Sequence, residues 1–213
     1  MKYESIEMIG LSGVGKTTMF YNLGDALFQD LGIYSTVHPI NPSKIDFFFE
    51  TTLLTIKTII SFSFLRSLFD LKLLDYISLL MKLGYRIASI KMRDLNSLVY
   101  LRDSGVLMPL ISAVIDDKLQ INKGLLYKIL SNIPLPKYVY CVYDSPDSIY
   151  NRFITREKEL GNKIENYALS DFENANNFVF ELVEMLKNMR VNVVVINKNK
   201  DLDNFRGRPL KLY

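Results

Sequence analysis

A short glycine-rich run near the start of the chain constrains its fold more than any other feature. Residues 10–17 read Gly-Leu-Ser-Gly-Val-Gly-Lys-Thr, which fits the phosphate-loop pattern G-x-x-x-x-G-K-[ST] at every fixed position. Residues 5–9 before this loop, of which Ile6, Met8 and Ile9 are apolar, predict a short strand, and apolar residues at helical spacing from Thr18 to Leu31 predict a helix after it. A strand, a tight loop and a helix in this order favour an α/β protein that binds phosphate. The alternative, a glycine-rich turn with a chance lysine, does not account for the flanking strand and helix.

The residue types of the loop suit the polyphosphate of a nucleotide. Glycine lets the backbone curl so that several N–H groups face one anion, and the following helix adds the positive end of its dipole. We expect Lys16 to reach the β- and γ-phosphates and the hydroxyl of Thr17 to hold Mg²⁺. The residues predicted to contact the nucleotide here are Gly10, Ser12, Gly13, Val14, Gly15, Lys16, Thr17 and Thr18.

Length and composition predict one folded domain over residues 1–213. Hydrophobic residues make up 49% of the chain and charged residues 23%, which is enough for a sizeable core. The net charge of +3 does not indicate a nucleic-acid partner, although it suits an anionic substrate. The single cysteine, Cys141, lies in an apolar run, which predicts a buried thiol and a reducing, cytoplasmic location. A cluster of metal-binding histidines is excluded because His38 is the only histidine.

A stretch rich in Phe, Leu and Ile runs from Asp46 to Leu83. Charged residues such as Glu50, Arg66 and Asp70 interrupt it, so no run of about 18 uncharged apolar residues remains to form a transmembrane helix. We expect two largely buried helices here, within a helical insert of about residues 45–95. A surface that docks on a partner or a membrane is the alternative, and the insert is a candidate surface for a homodimer.

Strands and helices alternate along the rest of the chain. Strands are predicted at Ile33–Val37, Leu98–Leu101, Tyr138–Tyr143 and Val191–Ile196, and helices at Val106–Asp117, Lys123–Asn132, Pro146–Glu159 and Asp171–Met189. The last helix is predicted to be capped by Ser170 together with Glu173. This alternation predicts a parallel sheet covered on both faces, with the ligand beyond the carboxyl ends of its strands.

Charged residues follow two of the predicted strands. Asp103 comes after the third strand, where a carboxylate can hold hydrated Mg²⁺ or accept a proton from an acceptor, and a helix cap is the alternative. Arg152 and Arg156 follow the fourth strand and lie four residues apart, so they share one helix face. There they could neutralise charge on a transferred phosphoryl group, and a solvated helix face is the alternative.

Together these motifs resemble the thymidylate-kinase-like branch of the P-loop nucleoside and nucleotide kinases. The resemblance rests on the loop at residues 10–17, Asp-Ser-Gly at 103–105, and a strand followed by Asp-Ser-Pro and Arg-x-x-x-Arg at 138–156. It implies a three-layer α/β fold with a five-stranded parallel sheet in the order 2-3-1-4-5. It also implies an enlarged helical region for the acceptor and an arginine-bearing lid at about residues 146–170.

The same resemblance implies an ATP-dependent kinase that uses Mg²⁺. The residues that would bind the phosphates and the metal ion are then Lys16, Thr17, Arg152 and Arg156. The loop from Asn197 to Asp201 would lie against the adenine. The chain departs from thymidylate kinases at residues 37–42 and 103–105, where the family has an Arg-Glu-Pro-Gly-like loop and Asp-Arg. The acceptor therefore stays open among a nucleotide, a nucleoside and a sugar.

Two other functions are compatible with a phosphate loop. A GTPase reads guanine with Asn-Lys-x-Asp, but residues 197–200 read Asn-Lys-Asn-Lys, with lysine in place of the aspartate. Gly105 also comes one residue too early for the Asp-x-x-Gly of a GTPase. A regulatory protein that holds a nucleotide without turning it over would need neither Asp103 nor the two arginines.

Overall fold

The bounds of the helices and strands follow the predicted alternation closely. The computed structural model describes residues 4–20, 34–36, 41–59, 73–93, 99–102, 105–116 and 119–198. In chain order its elements are β1 (Glu4–Ile9), α1 (described over residues 16–20), β2 (Tyr34–Thr36), α2 (Lys44–Ile59), α3 (Leu73–Arg93), β3 (Val99–Arg102), α4 (Met108–Ile115), α5 (Lys123–Asn132), β4 (Tyr138–Tyr143), α6 (Pro146–Glu159), α7 (Leu169–Asn188) and β5 (Asn192–Asn197). The predicted bounds of α5, α6 and β4 are confirmed, and most other ends differ by one or two residues.

The strands form one parallel sheet in the order β2-β3-β1-β4-β5. Ile6 of β1 pairs with Leu101 of β3 on one side and with Tyr138 of β4 on the other. Because all pairings are parallel, the strands end at one common edge of the sheet. Residues 6–9 of β1 and 139–142 of β4 are buried, and the apolar sequence of β4 is typical of a strand covered on both faces. The predicted class, α/β with helices and a parallel sheet, is confirmed.

Two compact units make up the chain. The first contains the five strands with α1, α6 and α7, and the second contains α2 to α5. In the first unit, α7 buries an apolar face that includes Phe172, Val179 and Leu182. This face and the inner strands supply the core on which the candidate site is built.

In the second unit, helices α2 and α3 pack closely at one glycine. A Cβ atom at Gly84 would lie 2.2 Å from Oγ1 of Thr51, so only glycine allows this approach. The hydroxyl of Tyr85, next to this glycine, donates to Oδ1 of Asn41 at 2.6 Å. The ring of Tyr85 also packs edge-on against Phe47.

The expected burial of the insert holds for α3 but is wrong for α2. Helix α3 buries Tyr76, Leu79 and Leu83, whereas on α2 the side chains of Ile45 and Phe48 are 81% and 72% exposed. Hydrophobic sequence alone predicted burial, but no neighbour covers this face of α2 in the part of the chain that the structure describes. Among the described helices, none combines the length and the apolar character that crossing a membrane requires.

Helix α7 begins two residues earlier than its sequence pattern suggested. The backbone N–H of Ala168 donates to Oδ2 of Asp171 at 2.9 Å, so the third helical residue reaches back to the cap position. The predicted cap by Ser170 and Glu173 is wrong, because Ser170 already lies inside the first turn.

Candidate phosphate-binding site

The loop between β1 and α1 depends on glycine at three positions. Gly10, Gly13 and Gly15 have φ angles of 144°, 88° and 97°, which side-chain-bearing residues rarely adopt. A Cβ atom at Gly10 would lie 2.3 Å from the carbonyl oxygen of Val142 on β4. A Cβ atom at Gly13 would lie 3.1 Å from the carbonyl oxygen of Ile149 on α6. The loop is therefore held tightly against the backbones of β4 and α6.

Helix α1 begins immediately after the loop. The carbonyl of Gly15 accepts the first helical hydrogen bond, from the N–H of Met19 at 3.1 Å. The helix thus directs the N–H groups of its first turn and its positive dipole end out of its N-terminus. Thr17 and Thr18 are exposed on this turn.

The side chain of Lys16 folds back onto the loop that precedes it. Its Nζ donates to the carbonyl oxygens of Gly10 at 2.9 Å and Leu11 at 3.0 Å. The ammonium group is therefore held beside the curled backbone, where the sequence pattern predicted a phosphate-binding lysine.

Arg152 of α6 is fixed between the loop and a buried carboxylate. Its Nε donates to the carbonyl oxygen of Gly13 at 2.9 Å, and its Nη2 donates to Oδ2 of Asp144 at 2.7 Å. Asp144, the first residue after β4, is only 3% exposed, and its Oδ1 accepts from the N–H of Ser145 at 2.7 Å. These bonds hold the guanidinium group between the loop and Asp144.

Arg156 reaches the same loop from one turn further along α6. Its Nη2 donates to Oγ of Ser12 at 3.0 Å, and its guanidinium carbon lies 5.5 Å from the ring centre of Phe153. Arg156 also donates to Oε1 of Glu157, whose other oxygen accepts from the side chain of Asn162 at 2.6 Å. The bond from Asn162, and then that from Arg156, lower the pKa of Glu157. Arg152 and Arg156 thus act on one side of the helix, as their spacing predicted.

The bounds of α6 explain how these arginines are placed. Oγ of Ser145 accepts from the N–H of Ser148, and Pro146 occupies the first turn. At the other end, Gly161 has a φ of 72°, and its N–H donates to the carbonyl oxygen of Lys158 at 3.0 Å. The helix is therefore stopped at both ends by local sequence.

Lys198 brings a further cation to the loop from the end of β5. A Cβ atom at Gly15 would lie 3.0 Å from Nζ of Lys198. Burial lowers the pKa of Lys198, nearby Arg152 lowers it further, and Asp144 opposes both effects. Its neighbour Asn197, predicted to lie near adenine, donates from Nδ2 to the hydroxyl of Tyr143 at 3.0 Å.

Most of the predicted site residues come together in the first unit, and two residues beside the loop were not predicted to lie there. Lys16, Arg152 and Arg156 each contact the loop, whereas Asp103 and residues 199–201 lie outside the described residues, as does His38. Asp144 was not assigned a role from the sequence, and Lys198 was predicted only as part of the loop at residues 197–201 that lies against the adenine. The signal was available, since each is a charged residue just after a strand of a parallel sheet.

The charges around the loop favour an anion. Among the described residues, four cationic side chains contact the loop or lie beside it, namely Lys16, Arg152, Arg156 and Lys198, and the carboxylates that pair with them are those of Asp144 and Glu157. A curled backbone, a helix N-terminus and an excess of positive charge are the components of a polyanion site.

Cys141 is a buried free cysteine in the middle of the sheet. Burial raises the pKa of the Cys141 thiol to about 12, so the predicted buried thiol is confirmed. Within the described ranges, no group of three or more His, Cys, Asp or Glu side chains could hold a metal ion.

Comparison with known proteins identifies the fold. No family model and no curated protein matches the sequence. Among solved structures, deoxyadenosine kinase from M. mycoides with bound dATP matches at 15% identity and a TM-score of 0.53, covering 95% of each chain. The same enzyme with its products dCMP and a flexible dCDP matches at 17% identity and a TM-score of 0.53, covering 95% of this chain and 94% of that chain. The chain has the fold of the P-loop nucleoside kinases.

Proposed function

We propose that the chain is a kinase that transfers the terminal phosphoryl group of ATP to a small hydroxyl-bearing acceptor. The observation that carries this proposal is the convergence of Lys16, Arg152 and Arg156 on one glycine-rich loop at a helix N-terminus. Such a site supplies what phosphoryl transfer needs most, namely positioning and neutralisation of charge. Among the acceptor classes left open by the sequence, the fold shared with deoxyadenosine kinase favours a nucleoside.

The phosphates of ATP would be bound by the loop backbone and Lys16. Arg152 and Arg156, already oriented by the loop and by Asp144, would contact phosphate oxygens where negative charge develops during transfer. Asn197 would border the adenine. Thr17, an exposed residue beside the loop, and Asp103 would hold Mg²⁺, because hydroxyl and carboxylate oxygens are ligands that this ion prefers. Mg²⁺, when bound, supplies further neutralisation of phosphate charge.

Several broader features belong to the same proposal. The fold would have three layers, the residues of α6 and its following turn at about 146–170 would act as a lid, and the enlarged helical region at about 45–95 would serve the acceptor. The exposed apolar side chains of α2 would support a homodimer. A cytoplasmic location would provide ATP and keep Cys141 reduced.

The proposal is tested by measuring ATP consumption in the presence of Mg²⁺ and a panel of nucleosides, nucleotides and sugars. We expect at least one acceptor, a nucleoside first, to stimulate ATP consumption and to yield a phosphorylated product. Lys16→Met should abolish turnover, because the ammonium group beside the phosphates is lost while the side chain keeps its length.

Lys187→Met is the matched control, since Lys187 is an exposed lysine of α7 paired with Glu184. It should retain the activity of the parent protein. Near-normal turnover by Lys16→Met would overturn the proposed mechanism. Tight ATP binding without turnover in the presence of any acceptor would instead favour a protein that only holds the nucleotide.

A further inference from the structure

The side chain of Lys198 lies along the glycine that immediately precedes Lys16. From a Cβ atom placed at Gly15, Nζ of Lys198 would be 3.0 Å away, Cε 3.2 Å and Cδ 3.6 Å. The whole end of this lysine therefore packs against the start of α1. Lysine side chains usually extend their ammonium group into water, so this placement against the loop requires an explanation.

Two sources of positive charge lie near Lys198. Arg152 lies close enough to act on it electrostatically, and the positive dipole end of α1 begins at the same glycine. Asp144 is the carboxylate that favours the charged form of Lys198. However, the oxygens of Asp144 already accept from Arg152 and from the N–H of Ser145. An anion bound at the loop would attract Lys198 as well as Arg152 and the dipole end of α1, and this attraction would offset their mutual repulsion.

We propose that Lys198 is a second phosphate-binding lysine of this site and donates from Nζ to an oxygen of a polyphosphate seated on the loop. The inference rests on the proposed function, because it takes the loop as the seat of the phosphates. Lys198 reaches the loop from the end of β5, whereas Lys16 belongs to the loop sequence itself. The ligand class is a nucleoside triphosphate or another linear polyphosphate, and the contact is with phosphate rather than with the base.

The experiment is calorimetric titration of the full chain with ATP and, separately, with inorganic tripolyphosphate. Lys198→Met should weaken the binding of both ligands by a similar factor, about 10- to 100-fold, the usual effect of one hydrogen bond to a charged group. Lys198→Arg should restore most of the affinity, since it keeps the charge. The control Lys187→Met should leave both affinities unchanged, because Lys187 lies in the last turn of α7, five residues before the start of β5, whereas Lys198 follows the other end of that strand.

The outcomes separate this inference from the proposed function. If Lys16→Met abolishes ATP binding but Lys198→Met changes it less than threefold, the role of Lys198 is refuted and the loop remains the phosphate site. If Lys198→Met weakens ATP but not tripolyphosphate, the lysine serves the nucleoside part and the inference is also refuted. If the parent chain binds neither ligand, the proposed function fails, and the role of Lys198 fails with it.

Discussion

The ion pair between Asp144 and Arg152 provides the sharpest test of how the site is held together. Asp144→Asn keeps the shape of the side chain but replaces the oxygen that accepts from Nη2 of Arg152 at 2.7 Å. Because Oδ1 must still accept from the N–H of Ser145, the new amide NH₂ group faces the guanidinium group, donor against donor. The substitution therefore leaves the guanidinium group of Arg152 facing a donor rather than simply deleting a contact.

The expected loss of stability follows from the burial of the pair. Removing one member of a fully buried ion pair costs about 3–5 kcal/mol. Asp144 is 1% exposed at its side chain, but Arg152 is 36% exposed, so water screens part of the interaction. We therefore expect Asp144→Asn to lower the free energy of unfolding by about 1.5–3 kcal/mol.

Urea unfolding followed by circular dichroism measures this loss, since the chain has no tryptophan. Glu184→Gln is the control, because it breaks an ion pair whose members are 45% and 68% exposed and should cost about 0.5 kcal/mol or less. A double-mutant cycle with Arg152→Met should give a coupling energy of about 1–2 kcal/mol. If Asp144→Asn costs no more than Glu184→Gln, or if the coupling is near zero, Asp144 does not anchor Arg152.

Two further predictions concern the loop. Gly10→Ala should lower the free energy of unfolding by about 3 kcal/mol or more, because its Cβ atom would meet the fixed carbonyl of Val142 at 2.3 Å and its φ of 144° is strained. Gly161→Ala, at a φ of 72° with open space around the new atom, should cost only about 1 kcal/mol in the same urea titration, and equal losses would contradict the close packing of the loop. For Lys198, whose pKa lies below its ordinary value of 10.5, the folded protein releases a proton that the unfolded chain keeps, so stability should rise with pH between the lowered value and 10.5. Comparing the pH dependence of unfolding with that of Lys198→Met measures this rise, and parallel curves would show that the pKa of Lys198 is not lowered.

Local sequence was sufficient to predict the loop and the helix that supports it. The loop needs glycine for its positive φ angles, and α6 is bounded by Ser145 with Pro146 at one end and Gly161 at the other. Helix α7 shows the limit of such patterns. Alanine has no side chain that can cap, so Ala168 gave no signal, although Asp171 three residues later accepts from its N–H.

The missed residues depend on contacts between distant parts of the chain. Asp144 acts on the loop because β4 lies beside β1, and Lys198 reaches Gly15 from a strand that ends 182 residues after it (197 minus 15). The sequence marks both as charged residues just after a strand, but it does not show which part of the loop each side chain contacts. For the same reason, the apolar residues of α2 predicted burial, since a sequence does not show which faces find a neighbour.

The two hydrogen bonds from Lys16 to the carbonyls of its own loop bear on how a ligand would bind. Where a phosphate oxygen takes the place of one of these carbonyls, its binding is an exchange, and its affinity reflects the difference between two sets of hydrogen bonds. The same bonds keep the loop ordered before the ligand arrives, which reduces the entropy lost on association. The bonds from Lys16 to its own loop therefore lower the affinity for phosphate somewhat but keep the loop in the conformation that binds it.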